Sequence, residues 1–594
     1  MPEPTRRQRL PRPLLDGIRL ARREDRLTST PRVFSELREK PIMALAAQTG
    51  STPHGDSTRP PATGRRGMVA SGSQHATIAG LQALQAGGNA VDAAVAVAAG
   101  LNVAEPFMSG MGGVGIGLVY MASEGKTRTI NFSGHAPNDI DPSGMTRDDI
   151  EYGPLSMLVP GNIAGWLTMH DKYGTLPRSQ VFAYAIDLAE NGVPMTPLIA
   201  TTVADSIDKI AELTEDGATL ALEYSAVEAG ALLRQQQLAE SMNRVVEGGI
   251  AEFYEGSLGD EICAGQKAFN GVINREEIAA YRPYWEEPIS TTYRDYEIRV
   301  PKPNSSAFQM LETLNILEGY DLEPGTALTE HLLVEAVLKA ADDRVLYSGD
   351  PKHVDIPLDR LISKDYAEEI RSGISSDKFS GFPPERWNRS AVEASLPGVW
   401  NPQSAAQSPM TTHFATADQW GNVVTITQTL GGGFGSCLAP KGTGVFINNM
   451  GKWFDLNQGS PNDLKGGRAV DFVIAPSQIY AAEDASFIAS IGTPGSYGIL
   501  HTTIQMIHQF LDCGKNIQEA IEAPRFRYYD IGAIMFESRF DSDMLEQLSD
   551  IGYTYDLLPP FTNAVGGAHA IHRTSHGTYL GAADPRRDGF ALGY

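Results

Sequence analysis

Two threonines, Thr411 and Thr429, carry hydroxyls at a spacing that a hairpin would bring face to face. They lie in the stretch Ser408–Gly435, which reads as two short strands, 411–418 and 422–430, rich in Thr and Val and joined by Gln419-Trp420-Gly421. Gly421 at the last loop position suits a three-residue hairpin, whose final residue wants a left-handed backbone. Counting outward from Asp418 and Asn422, which flank the loop, sets Thr429 opposite Thr411. Opposed Cβ atoms are about 5 Å apart, within reach of a hydroxyl–hydroxyl hydrogen bond. Thr425, Thr427 and Thr429 share one face of their strand, and Val424, Ile426 and Leu430 the other. A Thr hydroxyl is a poor nucleophile near neutral pH and needs an adjacent base. Most Thr-rich hairpins are structural, and the residue pattern by itself favours that reading.

The elements that would position this hairpin read as follows. At 594 residues the chain exceeds one ordinary core, so two or more domains are the default expectation. Apolar content of 42% and charged content of 20% fit a soluble globular protein. A net charge of −24 argues against a nucleic-acid partner, which requires Lys and Arg to neutralise phosphates. No apolar run reaches the ~18 residues of a membrane helix, so no membrane partner is expected. Arg6, Arg7 and Arg9 are not followed by an apolar segment of the kind an export signal needs, and the chain as given reads as cytoplasmic. Cys263, Cys437 and Cys513 are widely spaced and odd in number, which suits buried structural thiols rather than a metal site or a disulfide framework. Asn131, Asn304 and Asn388 head glycosylation sequons, relevant only on export.

Residues 1–66 are Arg-, Pro-, Ser- and Gly-rich and read as a flexible extension, with a possible short basic helix at 14–27. From Gly67 a short strand precedes an Ala-rich helical stretch that Gly87-Gly88-Asn89 breaks in two. The glycine run Glu105–Gly117 fails as a dinucleotide loop, because it follows a helix and leads into a strand; a closely packed backbone explains it better. Most of 177–350 reads as amphipathic helices, and 370–405 as irregular. The remainder is strand-rich around 411–450 and 470–495, then helical from about Ile499 to Leu511.

Met410-Thr411-Thr412-His413-Phe414, the Asp418–Asn422 turn and Thr429-Leu-Gly-Gly-Gly-Phe-Gly435 resemble the processing site of the gamma-glutamyltransferase family. The resemblance runs from about Gly67 to Tyr594 and includes Val159–Trp166, Lys302–Ser306, Gly349-Asp-Pro351, Gly566–Ile571 and Gly581–Arg586. It implies an α+β fold, the four-layer αββα sandwich of the N-terminal-nucleophile hydrolases, made as one chain that cuts itself before a Thr. Three regions follow: an extension 1–66, a heavy fragment 67–410 and a light fragment 411–594, the two fragments remaining associated. Cutting before Thr411 would free an α-amine with a reference pKa of about 8 on the residue that bears the hydroxyl. One residue would then supply nucleophile and base, its β-branch restricting χ1. Thr429 would orient it. Gly492-Thr-Pro-Gly-Ser-Tyr-Gly498 is similar to the family's oxyanion motif and places the backbone donors at Gly495 and Ser496, a substitution of Gly by Ser that is tolerated if the local φ is negative. His413 reads as structural.

The same resemblance exposes departures. Relatives grip a substrate α-carboxylate with an Arg where this chain has Ser133, which lacks a charged bidentate fork. Two family serines that assist correspond to Asp471 and Phe472, and an Asp would repel a carboxylate. On the α-amino side, Gly431, Met450 and Trp453 replace Asn, Gln and Asp, while Asn449 keeps its place. The expected function is therefore an amidohydrolase of this family, without metal or organic cofactor and with water as acceptor. Family membership points to glutathione and other γ-glutamyl amides; the altered clamp points to the alternative of an acylase or small-amide hydrolase. A binding protein without turnover is the competing class.

Overall fold

The computed structural model describes residues 57–225, 228–382, 410–529 and 533–594. The extension's possible helix and most of 370–405 lie outside them.

The Thr hairpin forms as its sequence requires. Met410–Ala417 pairs antiparallel with Val423–Gly431, Thr411 facing Thr429 and Ala417 facing Val423. Gly421 takes the left-handed backbone of its loop position (φ +86°). Asp418 locks the turn: its carboxylate accepts from the Trp420 and Asn422 N–H groups at 2.8 and 3.0 Å and from the Asn422 side chain at 2.8 Å. It also accepts from the N–H of Ala90, the first residue of the helix Ala90–Ala104, at 2.8 Å, where an anion is favoured. That helix begins just after the Gly87-Gly88-Asn89 break, with Asn89 and Asp92 forming a capping box.

The hairpin sits in the middle of a seven-stranded sheet. In order the strands are Phe590–Gly593, Met68–Ser71, Met410–Ala417, Val423–Gly431, Val114–Met121, Lys126–Phe132 and Tyr284–Glu286, every neighbour antiparallel. A second antiparallel sheet runs Ala62–Gly64, Tyr579–Ala583, His569–Arg573, Phe487–Gly492, Ser477–Ala481, Tyr296–Val300 and Ile289–Tyr293. Phe414, Val424, Ile426 and Leu430 point away from the second sheet into a core shared with the helices Ala90–Ala104, Asn162–Tyr173 and Gln236–Tyr254. Ala415, Ala417 and Val423 point the other way, onto Tyr480, Phe487, Ile571 and Tyr579 of the second sheet. Beyond that sheet lie the helices Phe308–Glu318, Ala327–Tyr347 and Gly498–Leu511. The result is the expected α+β sandwich of four layers, αββα. The period of two puts Thr411, His413, Thr425, Thr427 and Thr429 in the space between the sheets. Each buried large apolar side chain on the opposite face contributes about 1.5–3 kcal/mol that a one-residue slip would forfeit.

Three features differ from the sequence reading. The body begins by Ser57 rather than at Gly67: Thr58 donates to Glu522, and Ala62–Gly64 pairs with Tyr579–Gly581. Edge pairing through an Ala-Thr-Gly backbone carries no apolar pattern to betray it. The region read as mostly helical contains the three strands between Tyr284 and Val300. Cys263 and Cys437 are buried, but Cys513 is partly exposed.

Asp418→Ala would strand three backbone N–H groups, each costing about 1–3 kcal/mol where buried. We expect a lower urea midpoint corresponding to at least about 2 kcal/mol, and a smaller loss for Asp418→Asn, which keeps one acceptor oxygen. Equal midpoints for Asp418→Ala and the parent would refute the role of this lock.

Candidate active site

Thr411 and Thr429 are buried between the sheets with their hydroxyl oxygens 3.0 Å apart. The Thr429 hydroxyl accepts from the Gly431 N–H at 2.7 Å and donates to the Met410 carbonyl at 2.7 Å. A hydroxyl has one hydrogen and two acceptor sites. The carbonyl takes the hydrogen and the amide takes one acceptor site, so in its contact with Thr429 the Thr411 hydroxyl is the donor. Pairing shifts register between Met410 and Thr411, so the ladder is irregular at this peptide bond.

Arg587 and Glu105, which sequence reasoning missed, complete the surroundings. Arg587 Nη1 donates to the Thr411 carbonyl at 3.0 Å. Glu105 Oε2 accepts from the Thr412 hydroxyl at 2.9 Å, on the opposite face of the strand. Burial pushes the Glu105 carboxyl up to about 7, with the Arg587 charge and the Thr412 bond opposing that rise. Both residues adjoin motifs that were legible: Glu105 heads the glycine run, and Arg587 follows the tail motif ending at Arg586. Within the glycine run, Gly113 lies so close to the Thr429 carbonyl that a Cβ would stand 2.5 Å from it. His413 shares a 2.7 Å hydrogen bond with Thr427. Burial, then the neighbouring His569, holds its imidazole well below the ordinary range, so it is neutral and structural.

The segment expected to supply oxyanion donors follows the strand Phe487–Gly492. Gly492 packs against His413, where a Cβ would meet the ring at 2.2 Å. His413 and Thr411 share a face, so the turn Thr493–Ser496 starts beside the strand Met410–Ala417. Gly495 has φ +137° and Ser496 φ +56°. The expectation of a negative φ at Ser496 is therefore corrected: the residue is left-handed, a conformation that costs a non-glycine roughly 1–2 kcal/mol. Gly498 and Ile499 donate to the Gly495 and Ser496 carbonyls at 3.1 and 2.9 Å, fixing those carbonyls toward the following helix. The Arg344 guanidinium lies 4.1 Å from the centre of the Tyr497 ring, a cation–π contact.

The residues expected at the acyl pocket divide into two groups. Gly431, Asn449, Met450 and Trp453 converge beside Thr429: a Cβ at Gly431 would meet Asn449 Oδ1 at 2.3 Å, Met450 Sδ at 3.2 Å and the Trp453 ring at 3.3 Å. Asn449 Oδ1 accepts from the Gly432 N–H at 2.7 Å. Met450 and Phe472 share an apolar cluster with Val114 and Leu158, and Trp453 packs on it. Ser133 is remote. Thr411 pairs with Thr429 and Thr429 with Val114, while Gly115 pairs with Phe132, so Ser133 lies three strand spacings away, ~14 Å. Its hydroxyl is bonded to Asn304. The Asn131 side chain also donates to Asn304, at 3.1 Å; both are buried, which removes two of the three sequons from glycosylation. Asp471 does not present a bare charge to substrate. Its carboxylate accepts from Ser306 and, at 2.7 Å, from Ser348, and lies 3.5 Å from Arg344. The expected repulsion is corrected accordingly, since the compensating cation lies far off in sequence. Among the described residues no group of His, Cys, Asp and Glu side chains is arranged to hold a metal ion.

Glu105 yields a pH prediction. Its folded pKa of about 7 exceeds the ordinary 4.5, so the folded state binds more protons between those values. The stability it contributes is full below about 4.5 and is lost as pH rises through about 7. Glu105→Gln, which keeps an acceptor for Thr412, should gain stability relative to the parent on going from pH 5 to pH 8. Urea midpoints at the two pH values test this, and an unchanged difference would refute it.

A family model described as Gamma-glutamyltranspeptidase matches residues 76–594. An acylase ACY 1 proenzyme of Pseudomonas sp. (strain V22) is 34% identical, covering 89% of this chain and 94% of that protein. The glutathione hydrolase proenzyme of Escherichia coli (strain K12) is 32% identical, covering 90% and 93%. The crystal structure of cephalosporin acylase from Bacillus halodurans superposes with a TM-score of 0.81 at 30% identity, covering 92% of this chain and 99% of that one. Among the described residues no helix is long and apolar enough to cross a membrane. With its hairpin, its two sheets and this match over most of its length, the chain belongs to the gamma-glutamyltranspeptidase family and is an amidohydrolase of the N-terminal-nucleophile type.

Proposed function

We propose that the chain cuts itself between Met410 and Thr411 and then uses Thr411 to hydrolyse an amide whose acyl group is neutral or apolar. The observation that carries this reading is the hydrogen bonding of Thr429 to the Thr411 hydroxyl and the Met410 carbonyl at once. In self-cleavage Thr411 Oγ1 attacks the Met410 carbonyl carbon, the C–N bond breaks, and the hydroxyl proton passes to the departing amine. The Thr429 hydroxyl stabilises the oxygen on which charge develops. Water hydrolyses the resulting ester, leaving a Met410 carboxylate and a free Thr411 amine. Fragments 1–410 and 411–594 remain together because Met410–Ala417 is held on both sides within its sheet.

In turnover the Thr411 amine takes the hydroxyl proton, the oxygen attacks the substrate amide, and an acyl ester forms as the amine product leaves protonated. Backbone N–H groups of the Gly495–Ser496 turn serve as oxyanion donors. Relatives at similar identity are named acylases and glutathione hydrolases, so the pocket wall decides between them. Beside Thr429 it presents Gly431, Asn449, Met450 and Trp453, backed by an apolar cluster that holds the buried Phe472 and Val114, and none of these side chains is charged. Lys452, beside Gly432, is paired with Glu151 at 2.9 Å. An α-ammonium would lose solvation here without gaining a counter-charge, and a carboxylate would lose a charged hydrogen bond worth roughly 1.5–3 kcal/mol.

Self-cleavage is read on a denaturing gel and by N-terminal sequencing, which should begin Thr-Thr-His-Phe. Thr411→Ala should stay whole, and a normally cut variant would dismiss Thr411 as nucleophile. Thr429→Val should slow cutting and lower turnover of the processed form by about 10- to 100-fold; parental values would dismiss its role.

For substrate choice, the processed enzyme should be assayed on a series of p-nitroanilides. Turnover should be weak on the γ-glutamyl compound and faster on one with an apolar acyl group. Micromolar KM with efficient turnover on γ-glutamyl-p-nitroanilide would overturn the assignment.

A further inference from the structure

The helix Gly498–Leu511 ends in a group of side chains that the amide chemistry does not use. Its last turn carries His508, and Asp512 and Cys513 follow at once. The N–H groups of Asp512 and Cys513 both donate to the His508 carbonyl, at 2.9 and 3.2 Å, folding the chain back on itself. This brings Cys513 Sγ within 3.4 Å of His508 Nε2, while His508 Nδ1 lies 2.9 Å from Asp512 Oδ2. Thiol, imidazole and carboxylate thus stand in sequence, the imidazole between the other two. Asp512 is fixed from the far side, accepting from the Tyr293 hydroxyl at 2.6 Å and from Arg294 Nε at 3.0 Å. His508 is buried and Cys513 partly exposed, so a reagent has access to the sulfur and not to the imidazole.

The charges around His508 favour its protonated form. Asp512 is in contact, Glu330 on the helix Ala327–Tyr347 is near enough to feel its charge, and a helix C-terminus favours a cation. Arg294, against Asp512, and Lys515, near Glu330, oppose this from further out. Burial also works against the charge, but the bonds to Asp512 and Cys513 outweigh it and hold the imidazole at about 9. A neighbouring imidazolium is the standard means of stabilising a thiolate. Among the described residues the Cys263 and Cys437 sulfurs hydrogen-bond backbone carbonyls, at 3.7 Å, and burial pushes the Cys437 thiol up to about 12.

We propose that Cys513 is a reactive-thiol site, hydrogen-bonded to His508, which Asp512 orients, and that it takes small disulfides and soft electrophiles. With a disulfide, the Cys513 sulfur attacks one sulfur of the reagent, a new S–S bond forms and the old one breaks. The displaced thiolate takes a proton from solvent, and the reagent is itself the oxidant. The site lies outside the Thr411 chemistry and stands whichever amide the enzyme cleaves.

The test uses the full processed protein and two probes, an aromatic disulfide (dithiobisnitrobenzoate) and iodoacetamide, with peptide mapping of the labelled thiol. One thiol should react fast and map to Cys513. His508→Gln should lower its rate at pH 6.5 by about 10- to 100-fold. Cys513→Ser should remove the fast phase and leave amide turnover unchanged. A fast phase mapping to Cys263 or Cys437 in the parent protein would overturn the proposal without any variant. Unchanged reactivity in His508→Gln would do so as well.

Discussion

The arrangement rests on one hydroxyl with no spare hydrogen-bonding capacity. Thr429 accepts from Gly431 and from Thr411 and donates to Met410. Because each of its three positions is filled, the direction of each bond is determined rather than chosen. The Thr411 hydrogen must point at Thr429, and the Met410 carbonyl, which the proposed self-cleavage attacks, is polarised by the Thr429 hydrogen. A residue unable to donate would leave that carbonyl unactivated, and one unable to accept twice would release either Gly431 or Thr411.

Saturation at one end of the hairpin depends on register set at the other. Asp418 ties the loop to the first turn of a helix, and the apolar face of both strands is packed on that helical layer. Period-two alternation then delivers Thr411 to the inner face and Thr412 to the outer. Each is held there: Arg587 grips the Thr411 carbonyl, and Glu105 accepts from the Thr412 hydroxyl. The two charged residues are buried close enough to shift each other, so the strand is clamped across its thickness by a pair that lies far apart in the chain.

Much of this was legible in the sequence, because strand pairing around a short loop is a local problem. The loop residue, the alternation and the pairing of Thr411 with Thr429 needed nothing beyond the hairpin. The fold followed from resemblance spread along the chain. What escaped was set by distant contacts. Ser496 adopts its left-handed backbone within a turn that is packed against another strand. Asp471 is neutralised by Arg344, which no local pattern links to it. Ala62–Gly64 joins a sheet through its backbone alone, so composition made it look like part of the tail. Arg587 and Glu105 were passed over as flanks of motifs, although a charge beside a motif that must be buried is the signal that would have found them.

The saturated hydroxyl also sets an order in time. While residues 410 and 411 are joined, the hydrogen of Thr429 belongs to the Met410 carbonyl and that of Thr411 belongs to Thr429. In the proposed self-cleavage, hydrolysis of the ester releases the Met410 end and withdraws an acceptor, so Thr429 redirects its hydrogen to the Thr411 oxygen in contact with it. The polarity of the pair then reverses, and Thr411 becomes the acceptor, its own hydrogen released toward the new amine. On this reading breaking the C–N bond frees the amine and hydrolysing the ester turns the hydrogen, so the two conditions are met in succession.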